Sequence, residues 1–388
     1  MNEHVAAIAA LRFRWVGRLI LMTAIAASIF ACSSGPENPK PAELMANVPL
    51  INSRLTWSAK VGTVDFPSDV AIGNRADGLF VTTAGSDGGV ASFDALTGRE
   101  MWRTNIGTTI AAGVGSDGTL TAVVSTANEV VVLDNGRVLW RQKLNTAVYT
   151  SPLVTGGRVF VLGLDRSVNA FDGRTGRKLW VQKRPSEALV LRQAGVLLAV
   201  DDTLVVGFSG RLVGLNPLDG NVRWEAPIAT ARGTNDVERI VDVVGRVSVE
   251  GDVVCARAFR VAVGCVNASR GNLLWTKPAS GSVGIYGDDR AVFGVEHDGK
   301  VMAWNRSNGE RLWSTERLQY RTLIAPVVVG RSIAVGDSTG LVHLLSREDG
   351  SPLTRLSTDG SAVVVSALAG KMLIVVTRNG GIFGFSSQ

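Results

Sequence analysis

A chain of 388 residues that is 46% apolar, carries 44 Gly and is only 19% charged can bury a sizeable core and is too apolar to stay disordered. Its net charge of +6 is mild for that length, and no Lys/Arg run with interleaved aromatics marks a nucleic-acid surface. Three Cys and three His, none clustered at metal-ligand spacing, offer no metal centre, and no phosphate-binding loop is present.

In chain order, the first element is a targeting segment. Arg12, Arg14 and Arg18 form a basic stretch, and Leu19 to Phe30 an apolar one too short for a comfortable membrane span. It ends at Ile29-Phe30-Ala31-Cys32, which resembles the lipobox of bacterial lipoproteins, with Phe30 bulky for its place. The resemblance implies cleavage before Cys32 and lipidation of that Cys. Ser33, where Asp would signal inner-membrane retention, favours the outer membrane. The alternative is an ordinary secreted protein with an incidental Cys. Residues 33–49 contain four Pro with Gly and polar residues, and read as a flexible tether. The expected boundaries are 1–31 for the signal peptide, 32–50 for the lipid-anchored tether and 51–388 for a β-propeller domain.

The propeller expectation rests on a repeat. Phe93-Asp94-Ala95-Leu96-Thr97-Gly98-Arg99-Glu100-Met101-Trp102 returns as Phe171-Asp172 through Gly176 to Trp180. Variants run from Asn216 through Gly220 to Trp224, from Asn267 through Gly271 to Trp275, and from Asn305 through Gly309 to Trp313. A shortened copy spans Asp134, Gly136 and Trp140; a degenerate one spans Ser346, Gly350 and Thr354, with Thr in place of Trp. A period of about 40 residues suits one four-stranded propeller blade. Apolar, β-branched runs such as Gly78 to Thr83 flank each Asp-to-Gly turn, and no long run of helical periodicity follows residue 50. The chain ends on two strands, Lys371 to Thr377 and Gly381 to Phe385, and the missing outer strand with its Trp lies at the other end, Arg54 to Ser58 around Trp57. The expected fold is all-β: an eight-bladed β-propeller of antiparallel blades, the last closed by an N-terminal strand. Seven blades would follow if one degenerate copy were not a blade.

Each Trp reads as packing between blades with its N–H on a backbone acceptor, against the alternative of an aromatic ligand site. Cys255 and Cys265 flank a turn near Phe259-Arg260. They face each other if the hairpin turns there, and two reduced, buried thiols are the equal alternative. His297 and His343 are isolated. Gly207-Phe208-Ser209-Gly210 reads as a turn between strands, and Asp201-Asp202 and Asp288-Asp289 as turn residues.

Ala170-Phe171-Asp172 through Thr175-Gly176 to Trp180 resembles the PQQ-type propeller repeat. Quinoprotein alcohol dehydrogenases share that repeat, which keeps a PQQ-dependent, calcium-containing dehydrogenase or a ligand-binding propeller open as the second reading. The adjacent Cys pair of those enzymes is missing. The whole chain is more similar to the BamB family, lipoprotein subunits of the outer-membrane β-barrel assembly (BAM) machinery. The likeness covers the lipobox, the Pro-rich tether, the Trp57 strand and the repeats. Ala188-Leu189-Val190-Leu191-Arg192 resembles the family segment that contacts the barrel-forming subunit BamA. Asp236 to Asp242 resembles a second contact segment, with Val244 where the family often has another Asp. The resemblance implies a non-enzymatic scaffold without cofactor. It would face the periplasm and bind the POTRA domains of BamA through Leu189, Leu191, Arg192 and Asp242. It would support insertion of unfolded outer-membrane proteins, and would offer β edges to them.

Read alone, Leu189 and Leu191 alternate on one side of an extended segment, and Arg192 adds a planar cation suited to carboxylates or carbonyls. The alternative places these Leu in the inner strand of the next blade. The longest Trp-to-Trp interval, from Trp224 to Trp275, suggests a protruding loop there. A third class, an envelope adhesion module binding peptidoglycan, is separable by its partners.

Overall fold

The computed structural model describes residues 39–65, 69–75, 78–184, 190–230 and 241–386. Among the described residues there is no helix, and the strands form eight four-stranded antiparallel sheets. In the first blade Ala71–Arg75, Gly78–Ala84, Gly89–Asp94 and Glu100–Asn105 pair in sequence order from the inner strand outward. Six further blades repeat this meander. The eighth uses Val363–Ala369, Met372–Thr377 and Gly381–Ser386, then takes Arg54–Lys60 as its outer strand, with Arg54 opposite Ser386 and Lys60 opposite Gly381. Successive blades touch around the ring, mostly through their inner strands, and the last meets the first. The eight-bladed expectation and its closure hold; the seven-bladed alternative falls because the degenerate copy is the outer hairpin of a complete blade, Leu341–Ser346 with Pro352–Ser357.

The repeat works through its turn. In the first blade the Asp94 carboxylate accepts hydrogen bonds from Leu96 N (3.1 Å), Thr97 N (2.8 Å) and Thr97 Oγ1 (2.7 Å), so one side chain satisfies the turn's backbone. In the third blade the Thr175 amide and hydroxyl do the same for Asp172 and hold its carboxyl below the usual carboxylate range. The turn ends on a Gly with positive φ: 72° at Gly98 and 71° at Gly176.

That Gly is required twice over, because the Trp of the preceding blade lies on it. A Cβ at Gly98 would come within 2.5 Å of the Trp57 ring, and one at Gly176 within 2.6 Å of Trp140. The indole N–H then donates to the turn carbonyl of the next blade: Trp57 to Ala95 O (3.0 Å), Trp140 to Gly173 O (2.8 Å), Trp180 to Pro217 O (3.1 Å), Trp275 to Arg306 O (2.7 Å) and Trp313 to Arg347 O (2.8 Å). The Trp is therefore a blade-to-blade lock, which answers the packing reading. The lock also explains the degenerate copy. A Trp at position 354 would need such a turn in the eighth blade, but there the third strand ends at Ser386 and the outer strand starts anew at Arg54. No turn joins them. Thr354 stands buried instead, and Ile51 packs against the core shared by the last two blades. The apolar cores lie between blades: Phe93 and Val81 of the first pack with Ile374, Ile382 and Trp57 of the eighth.

Residues 42–388 hold the ring. Within them, the stretch expected to be free tether is partly laid on the ring: Ala42 N donates to Gln319 O (2.9 Å) and Leu50 N to Leu353 O (2.7 Å). Cys255 and Cys265 are register partners on Val253–Ala258 and Ala262–Asn267, joined as a disulfide and fully buried beside Trp275. Cys32 lies outside the described residues.

Candidate functional site

The site grows from loops on one face of the ring. A blade's outer strand crosses this face to reach the next inner strand, and the hairpin turn between second and third strands lies on the same side. Leu191 and Arg192 sit in the connection from Lys178–Gln182 to Leu197–Val200. They precede the inner strand, so the alternative of a core strand does not apply to them; Leu191 is half-buried and Arg192 exposed. Leu189 lies outside the described residues, as does most of the second contact segment. Asp242 ends the next connection, immediately before Val243–Glu250.

Asp242 gathers three blades. Its Oδ2 accepts from Leu191 N at 3.1 Å, and its Oδ1 from Arg166 Nη2 at 3.1 Å. Arg166 sits in the turn between Arg158–Leu162 and Val168–Asp172 with φ of 62°. Its side chain is 6% exposed and that of Asp242 21%, so the pair is shielded and charge-assisted. The Asp242 carbonyl accepts from Phe259 N (2.9 Å) in the fifth blade's turn.

Arg192 lies over the Tyr149 ring, its Cζ 5.3 Å from the centroid, and donates from Nε to the Tyr149 hydroxyl at 3.0 Å. Gln193 reaches Ser282 O (2.8 Å), Gly195 N bonds Thr150 Oγ1 (2.9 Å), and Gly245 N bonds Ala194 O (2.7 Å). The loop is therefore sewn to its neighbours, and a cavity of about 60 Å³ remains between Tyr149, Leu164, Leu191, Phe208 and Asp242. A pre-ordered loop that shows a cation, an aromatic ring and a half-buried Leu suits a protein surface with apolar and carboxylate groups. Sequence reasoning found Leu191, Arg192 and Asp242, and the structure brings them together. It missed Tyr149, Arg166 and Gln193, for which no local motif exists.

A second polar cluster ties down a turn. His343 Nε2 and Arg321 Nη1 meet the Asp337 carboxylate at 3.1 and 3.2 Å in a turn of the seventh blade. Burial works to raise the Asp337 carboxyl, but hydrogen bonds from His343, Thr339 and the Leu341 amide prevail and hold it well below the usual range. Among the described residues no three His, Cys, Asp or Glu are placed to hold a metal ion. The axial channel, about 560 Å³, is lined by apolar inner-strand residues such as Leu197, Val247 and Val364. Asp69 is the one carboxylate lining it among the described residues, and Arg246 crosses the axis to bond it at 2.7 Å and also to donate to Ser366 O. These residues do not fit a quinone held with a calcium ion.

Fold and site define a class: an eight-bladed propeller of PQQ-like repeats, closed by its N-terminal strand, with a hydrogen-bonded loop on one face. The profile of the family described as outer membrane protein assembly factor BamB matches residues 86–315. The outer membrane protein assembly factor BamB of Burkholderia pseudomallei is 38% identical over 371 residues, covering 93% of this chain and 96% of that protein. Its counterpart in Bordetella pertussis is 35% identical over 375 residues, covering 95% and 96%. The crystal structure of BamB from Moraxella catarrhalis superposes with a TM-score of 0.77 at 24% identity, over 86% of this chain and all (100%) of that one, a likeness of fold. The chain belongs to the BamB family of outer membrane protein assembly factors.

Proposed function

We propose that the chain is a non-catalytic scaffold subunit of the outer-membrane protein assembly complex. Lipidated Cys32 holds it on the periplasmic side of the outer membrane, and the loop face binds the POTRA domains of BamA. By organising that partner it supports folding and insertion of β-barrel proteins. Family membership supports the setting, since the relatives are named as assembly factors.

The observation that carries the site is the convergence on Asp242. One carboxylate fixes the Leu191 backbone and a buried Arg166, so that Leu191 and Arg192 are presented without ordering cost at binding. Arg192 contributes a fork for a carboxylate or carbonyl, Leu191 and Leu189 the apolar anchor.

The test is co-purification of BamA with the triple variant Leu189→Ala, Leu191→Ala, Arg192→Ala, with thermal unfolding measured beside it. Loss of BamA with an unchanged unfolding temperature is the expected result. Normal co-purification of a folded variant refutes the site.

A further inference from the structure

The seventh blade differs from the others in what lies along its outer edge. Among the described residues it alone has another segment of chain laid against its outermost strand. In Pro352–Ser357 the bulge at Leu353 and the register of Arg355 turn main-chain groups toward the open side. Leu50 N donates to Leu353 O (2.7 Å). Asn47 then uses its side-chain amide as a strand would use a peptide group: Nδ2 donates to Arg355 O at 3.0 Å, and Oδ1 accepts from Arg355 N at 2.9 Å. The segment runs antiparallel to the edge, since Asn47 meets Arg355 and Leu50 meets Leu353. It imitates a fifth strand without forming one.

The hold is shallow. Leu44 and Ile51 pack against the cores at its two ends. Between them Met45, Val48 and Leu50 remain 68%, 66% and 61% exposed, so the middle is retained by hydrogen bonds and bury almost no apolar area. Arg355 Nη2 to Met45 O (3.0 Å), Arg331 Nη2 to Leu50 O (3.1 Å) and Arg317 Nη1 to Met45 Sδ (3.2 Å) complete the contact. The same blade lacks the Trp lock, with Thr354 in its place.

We propose that residues 45–50 are a displaceable strap over a peptide-binding edge, and that an extended polypeptide segment of alternating apolar and polar side chains takes the strap's place by β-strand addition. A real strand offers main-chain donors and acceptors at every second residue, where Asn47 supplies one amide on a side chain that must be held in one rotamer. The incoming segment therefore outcompetes the strap if its concentration is high, and the strap protects the edge otherwise. The edge stands on the hydrogen bonds above; only the source of the segment, an unfolded barrel strand, rests on the assembly reading.

The experiment measures fluorescence anisotropy of a labelled ten-residue peptide of alternating Val and Thr, Lys-capped at both ends, against the full mature chain. Asn47→Ala removes two strap hydrogen bonds and is expected to tighten binding about tenfold. The same peptide N-methylated on every backbone amide, which blocks both of its edges, is expected not to bind. Equal binding of the N-methylated peptide, unchanged affinity in Asn47→Ala, or no binding by either protein overturns the proposal. So does a concentration-dependent dimer of Asn47→Ala without peptide binding, which assigns the edge to a second copy. BamA co-purification is scored separately and is expected to be unchanged in Asn47→Ala, so failure of the partner site and failure of the edge are distinct results.

Discussion

Replacing Asp242 by Ala separates a residue that touches the partner from one that positions others. The change removes the acceptor of Leu191 N (3.1 Å) and one ionic partner of Arg166 (3.1 Å). A hydrogen bond to a charged acceptor contributes about 1.5–3 kcal/mol net. With the carboxylate side chain 21% exposed, the lower half of that range applies, about 2 kcal/mol. The loop around Leu191 should then open about 30-fold more often. Hydrogen exchange resolved to the 190–195 peptide reads this directly: its protection should fall by that factor while the strands of the fourth blade stay unchanged. BamA affinity should weaken in parallel. Asp242→Asn, which keeps an acceptor oxygen, should recover most of the protection. Weakened affinity with unaltered exchange in Asp242→Ala would refute the positioning argument and make Asp242 a contact in its own right.

The blade locks predict an asymmetry. Trp140→Ala should cost about 3–5 kcal/mol, read by denaturant melts, whereas Thr354→Trp should not stabilise, because no turn waits for the ring. The disulfide closes a loop over a sequence separation of 10; thiol trapping and mass spectrometry of protein taken from the periplasm should find neither Cys255 nor Cys265 alkylated, and free thiols on both would reject the bridge. Asp337 predicts the acid limb: its folded pKa is depressed, so it contributes stability fully present above the unfolded value of about 3.9 and lost as pH falls toward the lower folded value. Asp337→Asn should therefore flatten the fall in unfolding temperature below about pH 4 and lower stability at neutral pH.

Most of the fold was legible because the repeat is local chemistry. An Asp that satisfies its own turn and a Gly at positive φ act within one hairpin, the Trp four residues on marks each copy although it docks on the next blade, and Trp57 far upstream announced the closing strand. The site was legible only in part. Leu191, Arg192 and Asp242 lie on two successive inter-blade connections, and those connections share a face, so residues 51 positions apart become neighbours. Tyr149 and Arg166 come from other loops again, and their roles exist only once the ring is closed. The strap was illegible for a similar reason. A Pro-rich stretch carries no strand periodicity, and Asn47 gains its role from an edge more than 300 positions away. The protruding loop expected between Trp224 and Trp275 falls largely on residues 231–240, outside those described.

The joining of Arg54–Lys60 to Gly381–Ser386 has a consequence for how the molecule is made. The strand synthesised early has to wait for one synthesised more than 300 residues later, and until then the eighth blade lacks its outer strand and the first blade lacks its neighbour. The entropy of bringing such distant ends together rises only slowly with separation, so the final state is not weakened by it, but the delay lengthens the time spent unfinished. Deleting Gly381–Ser386 would strand the whole circle in that state.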